Sequence, residues 1–486
     1  MTHMKLFGTD GIRAEVGTWP LVPDFVLRLG LAAGRVLGDE NKPGDTIVIG
    51  RDTRQSSPML HSALTAGLLA GGATVIDAGV ITTPGVAYLA RRLEAAAGVM
   101  ISASHNPVHE NGIKFFDRDG LKLSEMLEAE IERELEASGE THAARHFGRS
   151  IDGKGMHELY VKSLLAEHAD LRLDDLALVL DCANGAASWF APECLARMGA
   201  RVIAIHASPT GLNINDRAGS EYVRRQPGEL GRLVQQVNAN FGLAFDGDAD
   251  RVVFVDERGG IVDGDHMLGI LSDYFDQRRE LLAGAIVTTT MRNEGLARYA
   301  RTRQLQMHET PVGDKYVVEK LLDLQRSAPE PDGYAIGGEQ AGHVVLMDRD
   351  HTTGDGIRTA LFIIQAFLES GARSLAEMAS IVRKTPQVIA SAYVGRGPRL
   401  DRAALNDLES ECRRDLPALK RVHLRYSGTE SQFRAMLEAD EQMPEADLAR
   451  TAWQICRRIQ AVAGVDEGFL EILSCSRGGL LSPSEL

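Results

Sequence analysis

The chain has 486 residues, of which 44% are hydrophobic and 25% are charged, and this composition is typical of a soluble globular protein. A net charge of −15 and a pI near 5.5 exclude binding to nucleic acid or to anionic membranes through bulk charge. The five cysteines are scattered and form no C-x-x-C pair, which favours a reducing, cytoplasmic location without structural zinc. We find neither a signal-peptide core between Met1 and Asp10 nor an apolar run of the roughly 18–20 residues that a membrane span needs.

Short β-branched runs alternate with helical patterns over most of the chain. Residues 46–50, 176–180 and 285–289 each read as a strand that is followed by a polar loop and a helix. Strands that alternate with helices predict βαβ units and mostly parallel sheets. Because the three strands begin roughly 110–130 residues apart, the pattern favours three similar α/β units.

The pattern changes after about residue 370. Three strands are predicted at 386–394, near 422–424 and near 433–437, and two helices at 400–416 and 446–462. This order predicts a smaller α+β domain. The predicted domains are residues 1–152, 153–258, 259–372 and 373–472, followed by a tail, residues 473–486, whose Gly, Ser and Pro content predicts disorder.

The first candidate site is the serine of the run Ile101-Ser102-Ala103-Ser104-His105-Asn106-Pro107. Pro107 stops the preceding strand and keeps Asn106 extended. Such a loop presents the Ser104 hydroxyl at the carboxyl end of a parallel strand, where α/β sheets bind ligands. An ordinary strand-to-turn junction explains the motif equally well. Lys114 lies nearby and offers a cation that can neutralise phosphate or move a proton.

The second candidate site consists of Asp246, Asp248 and Asp250, which alternate directly after an apolar run. Alternate side chains of an extended backbone share one face, and three crowded carboxylates repel one another unless a cation lies among them. Three hard oxygen ligands with open positions suit Mg²⁺ shared with a phosphate better than a closed Ca²⁺ cage. The alternative is a solvated acidic turn.

Two further segments are weaker alone. In Gly337-Gly338-Glu339-Gln340-Ala341-Gly342-His343, Glu339 can accept hydrogen bonds from two sugar hydroxyls and His343 can contact phosphate or relay a proton. A plain turn is the alternative. Residues 425–430 and Arg434 combine hydroxyls, a glycine and two arginines into a possible anion cradle, or into a hairpin with surface arginines. Smaller polar loops carry cations at Arg13, Arg51, Arg54 and Lys315.

In this order the segments resemble those of the α-D-phosphohexomutases, and the resemblance extends from Lys5 to about Gly464. The sequence of residues 7–13, 101–107, 181–186 and 352–356 is most similar to the bacterial branch that acts on glucosamine phosphate. The family implies three similar α/β domains with mostly parallel mixed sheets and a smaller C-terminal α+β domain, arranged around a central cleft.

The resemblance also implies a role for each candidate residue. Ser104 matches the phosphoserine nucleophile, and Asp246, Asp248 and Asp250 match the Mg²⁺ ligands, with the phosphoserine adding an oxygen. The catalytic set it implies is Ser104, Lys114, Arg251 and His343. The substrate-binding set it implies is Arg13, His105, Glu339, Gln340, Arg425, Ser427, Gly428, Thr429 and Arg434.

The expected reaction interconverts glucosamine 6-phosphate and glucosamine 1-phosphate through a 1,6-bisphosphate, feeding UDP-N-acetylglucosamine synthesis. Ala341 and Ser431 replace the family's usual serine and proline, so another hexose phosphate, such as that of mannose or glucose, stays open as the substrate. A catalytically silent sugar-phosphate binder and a simple phosphatase stay open as well. The expected partner is the hexose phosphate, without nucleic acid or membrane, and the expected assembly is a monomer or a homodimer.

Overall fold

The computed structural model of the chain describes residues 6–8, 10–38, 45–137, 146–328, 333–395, 397–427, 431–466 and 468–482. Four sheets follow one another along these residues, and helices pack on them. None of the helices in the described ranges combines the length and the apolar character that crossing a membrane requires.

The first unit places a mixed sheet between layers of helices. Its sheet order is β1-β5-β4-β2-β3-β6, in which β2 pairs in parallel with β3 and β4, whereas β5 is antiparallel to β1 and β4. The elements are β1 (Ile12–Glu15), α1 (Pro23–Leu37), β2 (Thr46–Arg51), α2 (Ser57–Ala70), β3 (Thr74–Val80), α3 (Thr83–Arg92), β4 (Ala97–Ile101), β5 (Glu110–Asp117), α4 (Glu125–Ala137) and β6 (Ser150–Asp152).

The second unit has the sheet order β11-β10-β9-β7-β8, in which β7 pairs in parallel with β8 and β9, whereas β10 is antiparallel to β9 and β11. The elements are α5 (His157–Glu167), β7 (Ala177–Asp181), α6 (Ala187–Arg197), β8 (Arg201–Ile205), α7 (Gly219–Arg225), α8 (Pro227–Gln236), β9 (Phe241–Phe245), β10 (Val252–Val255) and β11 (Ile261–Val262).

The third unit has the sheet order β13-β12-β14-β15, in which only the β14–β15 pair is antiparallel. The elements are α9 (Gly264–Arg278), β12 (Leu281–Thr289), α10 (Glu294–Thr302), β13 (Gln306–Thr310), α11 (Asp314–Ser327), β14 (Tyr334–Gly338), β15 (Val344–Met347), α12 (Gly356–Ser370) and α13 (Leu375–Ala379).

The fourth unit is antiparallel throughout, in the order β17-β18-β16-β19. The elements are β16 (Gln387–Tyr393), α14 (Arg402–Asp415), β17 (Leu419–Tyr426), β18 (Gln432–Ala439), α15 (Glu445–Val462) and β19 (Leu470–Ser474). The predicted fold class and the individually predicted strands and helices are therefore confirmed, while the exact domain bounds stay a prediction.

The apolar cores are distributed unevenly among the units. One continuous core joins the second and third units, because Tyr160, Phe241, Phe275 and Phe362 belong to the same buried cluster. The first unit has a core of its own, built on α1 and α2. The buried core of the fourth unit is drawn from residues 388–472. The fourth unit is thus a separate packing unit.

The tail differs from its prediction of disorder over the part that the structure describes. The backbone N–H groups of Gly479 and Leu480 donate to the carbonyl oxygens of Arg224 and Arg225 in α7, at 2.9 Å each. The N–H of Leu481 donates to the carbonyl of Ile472 at 2.9 Å. Composition suggests a free end, but these backbone bonds depend on a neighbouring helix that the tail sequence does not reveal. Residues 483–486 lie outside the described ranges.

Candidate functional site

Ser104 lies in a tight loop directly after β4. Its backbone has φ of 53°, in the left-handed region that non-glycine residues seldom occupy. The side chain is fully buried, and Oγ donates a hydrogen bond to Asp246 Oδ2 at 2.5 Å. His105 Nδ1 lies 3.3 Å from the same serine oxygen. The hydroxyl and the loop that carries Asp246, Asp248 and Asp250 therefore meet directly, as the family resemblance implies.

Two side chains from elsewhere hold the backbone of this loop. Arg54, which is fully buried, donates from Nη2 to the carbonyls of Ser104 and Asn106 at 3.0 and 2.8 Å. Asn215, from the second unit, donates from Nδ2 to the same carbonyls at 2.8 and 3.0 Å. Asp52 fixes Arg54 through an ion pair at 2.9 Å. The strained serine is thus over-determined by its surroundings.

Asp246, Asp248 and Asp250 converge in the turn that follows β9. One oxygen from each lies within 4.8 Å of the others, and all three residues are buried. Within the described part of the chain, Asp248 Oδ1 and Asp250 Oδ1 accept no hydrogen bond. Burial and the charges of Asp250 and Asp248 raise the pKa of Asp246 well above its ordinary value. Such a cluster fits a divalent cation.

Two cations border the aspartates. Lys114 Nζ lies 2.8 Å from Asp248 Oδ2 and 3.3 Å from Asp250 Oδ2. Burial alone would lower the pKa of Lys114, but Asp10 and the two aspartates raise it above its ordinary value. Arg251 Nε lies 3.8 Å from Asp250 Oδ1, and here too the carboxylates outweigh burial and raise the pKa. Both side chains are therefore positively charged beside the serine loop.

The third predicted segment connects β14 to β15 and approaches Arg251. Glu339 Oε1 accepts a hydrogen bond from the Gly313 N–H at 3.2 Å. His343 is buried, forms an isolated bridge with Arg251, and has Nε2 3.7 Å from Asp314 Oδ2. The amide nitrogen of Gln340 is bonded within the protein, although this residue is predicted to bind substrate.

Residues 352–356 support both His343 and the turn that carries the three aspartates. A Cβ on Gly354 would lie 2.4 Å from His343 Nε2, so only glycine lets the imidazole occupy its place. Gly356 N–H donates to the carbonyl of Ala249 at 3.0 Å, within the triple-aspartate turn. Asp355 accepts from the Tyr160 hydroxyl at 2.8 Å. This segment therefore holds His343 and the turn of the three aspartates in place, a role that its sequence does not reveal.

The fourth predicted segment is the β17–β18 hairpin. Arg425 and Arg434 are cross-strand neighbours, and the Ser427 N–H donates to the Gln432 carbonyl at 2.8 Å. All three predicted residues that are described here, Arg425, Ser427 and Arg434, line the central cavity. Gly428 and Thr429, the other two predicted phosphate-loop residues, lie outside the described residues.

A cavity of about 1350 Å³ joins these elements. The predicted residues that line it are Arg13, His105, Asp250, Arg251, Glu339, Gln340, His343, Arg425, Ser427 and Arg434. Ser104, Lys114, Asp246 and Asp248 are buried beside it. Burial and the nearby Arg251 lower the pKa of His105 to about 3.

Sequence reasoning missed the contribution of α7, whose Glu221 and Arg224 also line the cavity, because α7 carries no motif.

Three family models describe most of the chain. Phosphoglucomutase/phosphomannomutase alpha/beta/alpha domain I matches residues 4–142, domain II matches residues 158–260 and domain III matches residues 263–385. The chain therefore belongs to the phosphoglucomutase/phosphomannomutase family of the α-D-phosphohexomutases, and it is a mutase, an isomerase of phosphorylated sugars.

Individual relatives show which members of the family the chain is similar to. The chain is 41% identical over 473 residues to the phosphoglucosamine mutase of Magnetococcus marinus, covering 96% of this chain and 93% of that one. It is 43% identical over 438 residues to the phosphoglucosamine mutase of Nitrosococcus oceani, covering 89% and 93%. A phosphoglucomutase/phosphomannomutase family structure from Burkholderia thailandensis shares the fold, with a TM-score of 0.73 at 23% identity over 96% of this chain and 99% of that one.

Proposed function

We propose that this chain interconverts glucosamine 6-phosphate and glucosamine 1-phosphate through a phosphoserine at Ser104 and a 1,6-bisphosphate intermediate. The observation that supports this proposal most strongly is the 2.5 Å hydrogen bond from Ser104 Oγ to Asp246, which places a nucleophilic hydroxyl beside three buried carboxylates. The high identity to phosphoglucosamine mutases over most of the chain supports the choice of sugar.

We infer that Asp246, Asp248 and Asp250 hold Mg²⁺. Two buried oxygens without a hydrogen-bond partner in the described ranges, on Asp248 and Asp250, fit a hard cation of this kind. When bound, the ion would neutralise charge on the phosphoryl group during transfer. Lys114 and Arg251 add positive charge from the protein itself.

The reaction takes place as two phosphoryl transfers. In the first, the sugar O1 attacks the phosphorus on Ser104, the Oγ–P bond breaks and the bisphosphate forms. The bisphosphate then reorients within the cavity, so that its phosphate at position 6 faces Ser104. In the second, Ser104 Oγ attacks the phosphorus at position 6, the O6–P bond breaks, and glucosamine 1-phosphate leaves with a free hydroxyl at O6. Alignment and charge neutralisation supply most of the catalysis in such transfers, so the fixed position of Ser104 is the main contribution of the protein.

The remaining residues grip the substrate in this proposal. Glu339 accepts hydrogen bonds from sugar hydroxyls, and His343 contacts phosphate or relays a proton beside Arg251. The distal phosphate is gripped by Arg425, Ser427, Gly428, Thr429 and Arg434, and Arg13 and His105 line the same cavity. Because hexose phosphates are charged and do not cross membranes unaided, the proposed location is the cytoplasm.

Comparison of substrates tests the proposal. Enzyme of known phosphorylation state is assayed for kcat/KM on glucosamine, glucose and mannose phosphates, and the highest value is expected for glucosamine phosphate. Action on another hexose phosphate is favoured by one feature, Ala341, which lines the cavity where the family usually has serine. A higher kcat/KM on mannose or glucose phosphate would establish that substrate instead.

A further inference from the structure

The side chain of Gln340 faces the linker to the fourth unit. Its Nε2 donates to Asp265 Oδ2 and to Gln387 Oε1, at 2.8 Å each, and the residue is almost fully buried. These partners lie 75 and 47 residues away along the chain. Gln387 is the first residue of β16. The amide therefore joins the loop between β14 and β15 (residues 339–343, here the sugar loop) to the start of the fourth sheet.

The orientation of this amide is fixed by the groups around it. Gln387 Nε2 donates to the carbonyls of Met291 and Arg292 at 3.3 and 3.1 Å, and carbonyls only accept. Gln387 therefore directs Oε1 toward Gln340, and Gln340 must donate to this oxygen from its NH₂ group. The Asp265 carboxylate, which also accepts from the Asn293 N–H at 2.9 Å, requires the same orientation.

Further bonds hold the linker between α13 and β16 at this junction. Asn293 donates from Nδ2 to the Thr385 carbonyl, and its Oδ1 accepts from the Thr385 N–H, at 3.0 Å each. Lys384 Nζ pairs with Asp263 and lies 3.5 Å from Asp265 Oδ2. A Cβ on Gly264 would lie 1.9 Å from the Glu339 carbonyl, so the sugar loop also packs directly on α9.

This polar junction contrasts with the packing around it. The buried core of the fourth unit is drawn from residues 388–472 and is separate from the core of the third unit. The fourth unit carries Arg425 and Arg434, whereas the sugar loop carries Glu339. Among the described residues, no apolar core is shared by the third and fourth units. Directional hydrogen bonds at the junction therefore set the position of the β17–β18 hairpin relative to the sugar loop.

We propose that Gln340 is a positioning residue, which couples the sugar loop to the orientation of the fourth unit through Gln387. The inference rests on the proposed function, since it assigns the two loops to one substrate. The rival role is direct contact with the sugar, because Gln340 lines the cavity and its Oε1 has no hydrogen-bond partner in the described ranges. Gln387 is fully buried, so its substitution separates the two roles.

The test is a double-mutant cycle on the full chain with glucosamine 6-phosphate. Gln340→Met and Gln387→Met keep the side-chain length and remove the amide. Each is expected to lower kcat about tenfold and to raise the fraction of turnovers that release free bisphosphate, and the double variant is expected to lose no more than either single variant. Gln365→Met on α12 removes an amide that is bonded to His168, and this matched control is expected to leave both readouts unchanged.

Losses that multiply in the double variant, or a normal kcat for Gln387→Met beside an impaired Gln340→Met, would overturn the coupling and establish sugar contact. Thermal unfolding identifies any variant that fails to fold, and Gln340→Asn, which keeps the amide but shortens its reach, then replaces Gln340→Met with the same expected loss. Absence of mutase turnover in the wild-type protein would instead refute the proposed function, so the two failures are distinguishable.

Discussion

The serine loop and the phosphate hairpin face the same cavity, but they are held in different ways. The loop at Ser104 is fixed by buried side chains from two units, among them Arg54 and Asn215. The hairpin that carries Arg425 and Arg434 belongs to a unit with its own core, attached to the third unit through hydrogen bonds. The reacting end is therefore pre-organised by a buried network, whereas the orientation of the gripping end depends on the hydrogen bonds at its junction with the third unit.

The largest effect is expected at the reacting end. Ser104→Ala removes the hydroxyl that bonds to Asp246 and should abolish turnover, because no phosphoryl group can be carried. Ser62→Ala, which removes an exposed serine hydroxyl on α2, is the control and should be fully active. Initial rates with glucosamine 6-phosphate measure both. Turnover by Ser104→Ala would mean that another nucleophile does the chemistry.

Metal removal should have the next largest effect. Chelation should abolish turnover and added Mg²⁺ should restore it, while Asp248→Asn should lower kcat/KM about 10²–10³-fold through the loss of one charged ligand. Asp256→Asn changes a carboxylate in the next turn of the same unit and should keep normal activity. Activity that survives chelation would show that the aspartates have another purpose.

Arg54→Met tests how rigid the reacting end must be. Removing the guanidinium leaves Asp52 buried without its ion partner and frees the serine loop, so the free energy of unfolding should fall by about 3–5 kcal/mol and kcat by about 10²-fold. Arg51→Met, at the end of β2, breaks a partly exposed pair with Asp77 and should cost less than about 1 kcal/mol. Chemical denaturation and initial rates measure the two variants. Equal losses would contradict the role assigned to Arg54.

Gly354→Ala tests the position of His343, which lies between the reacting and gripping ends. The added methyl group conflicts with the His343 ring, and overpacking of this kind typically costs about 1–3 kcal/mol, so kcat should fall about tenfold. Gly228→Ala, on the open side of α8, should be neutral because the nearest atom to its added Cβ is 3.7 Å away. An unchanged kcat for Gly354→Ala would show that the imidazole position is unimportant.

Arg434→Lys should have the smallest effect, at the gripping end. Lysine keeps the charge but loses the forked hydrogen bonds, so KM should rise several-fold with kcat nearly unchanged. Arg414→Lys, on an exposed face of α14, provides the control. A large fall in kcat would place the hairpin in the phosphoryl transfer itself.

The sequence reveals the parts of the site whose chemistry is local. Ser104 and the three aspartates each follow an apolar strand, and ligand groups collect at such strand ends. Arg54 and Asn215 are not predictable in this way, because their partners are backbone carbonyls that only the folded chain brings near. Gln340 carries the family motif, yet its bonds go to Asp265 and Gln387, which are distant in sequence.

The most direct test of the account is the covalent state of the protein. Purified enzyme is incubated with a hexose 1,6-bisphosphate and Mg²⁺, and intact mass and peptide mapping then locate any added phosphate. One phosphate is expected on Ser104, and it should be lost on incubation with glucosamine 6-phosphate as bisphosphate appears. A catalytically active protein that carries no phosphate on Ser104 under these conditions would contradict it.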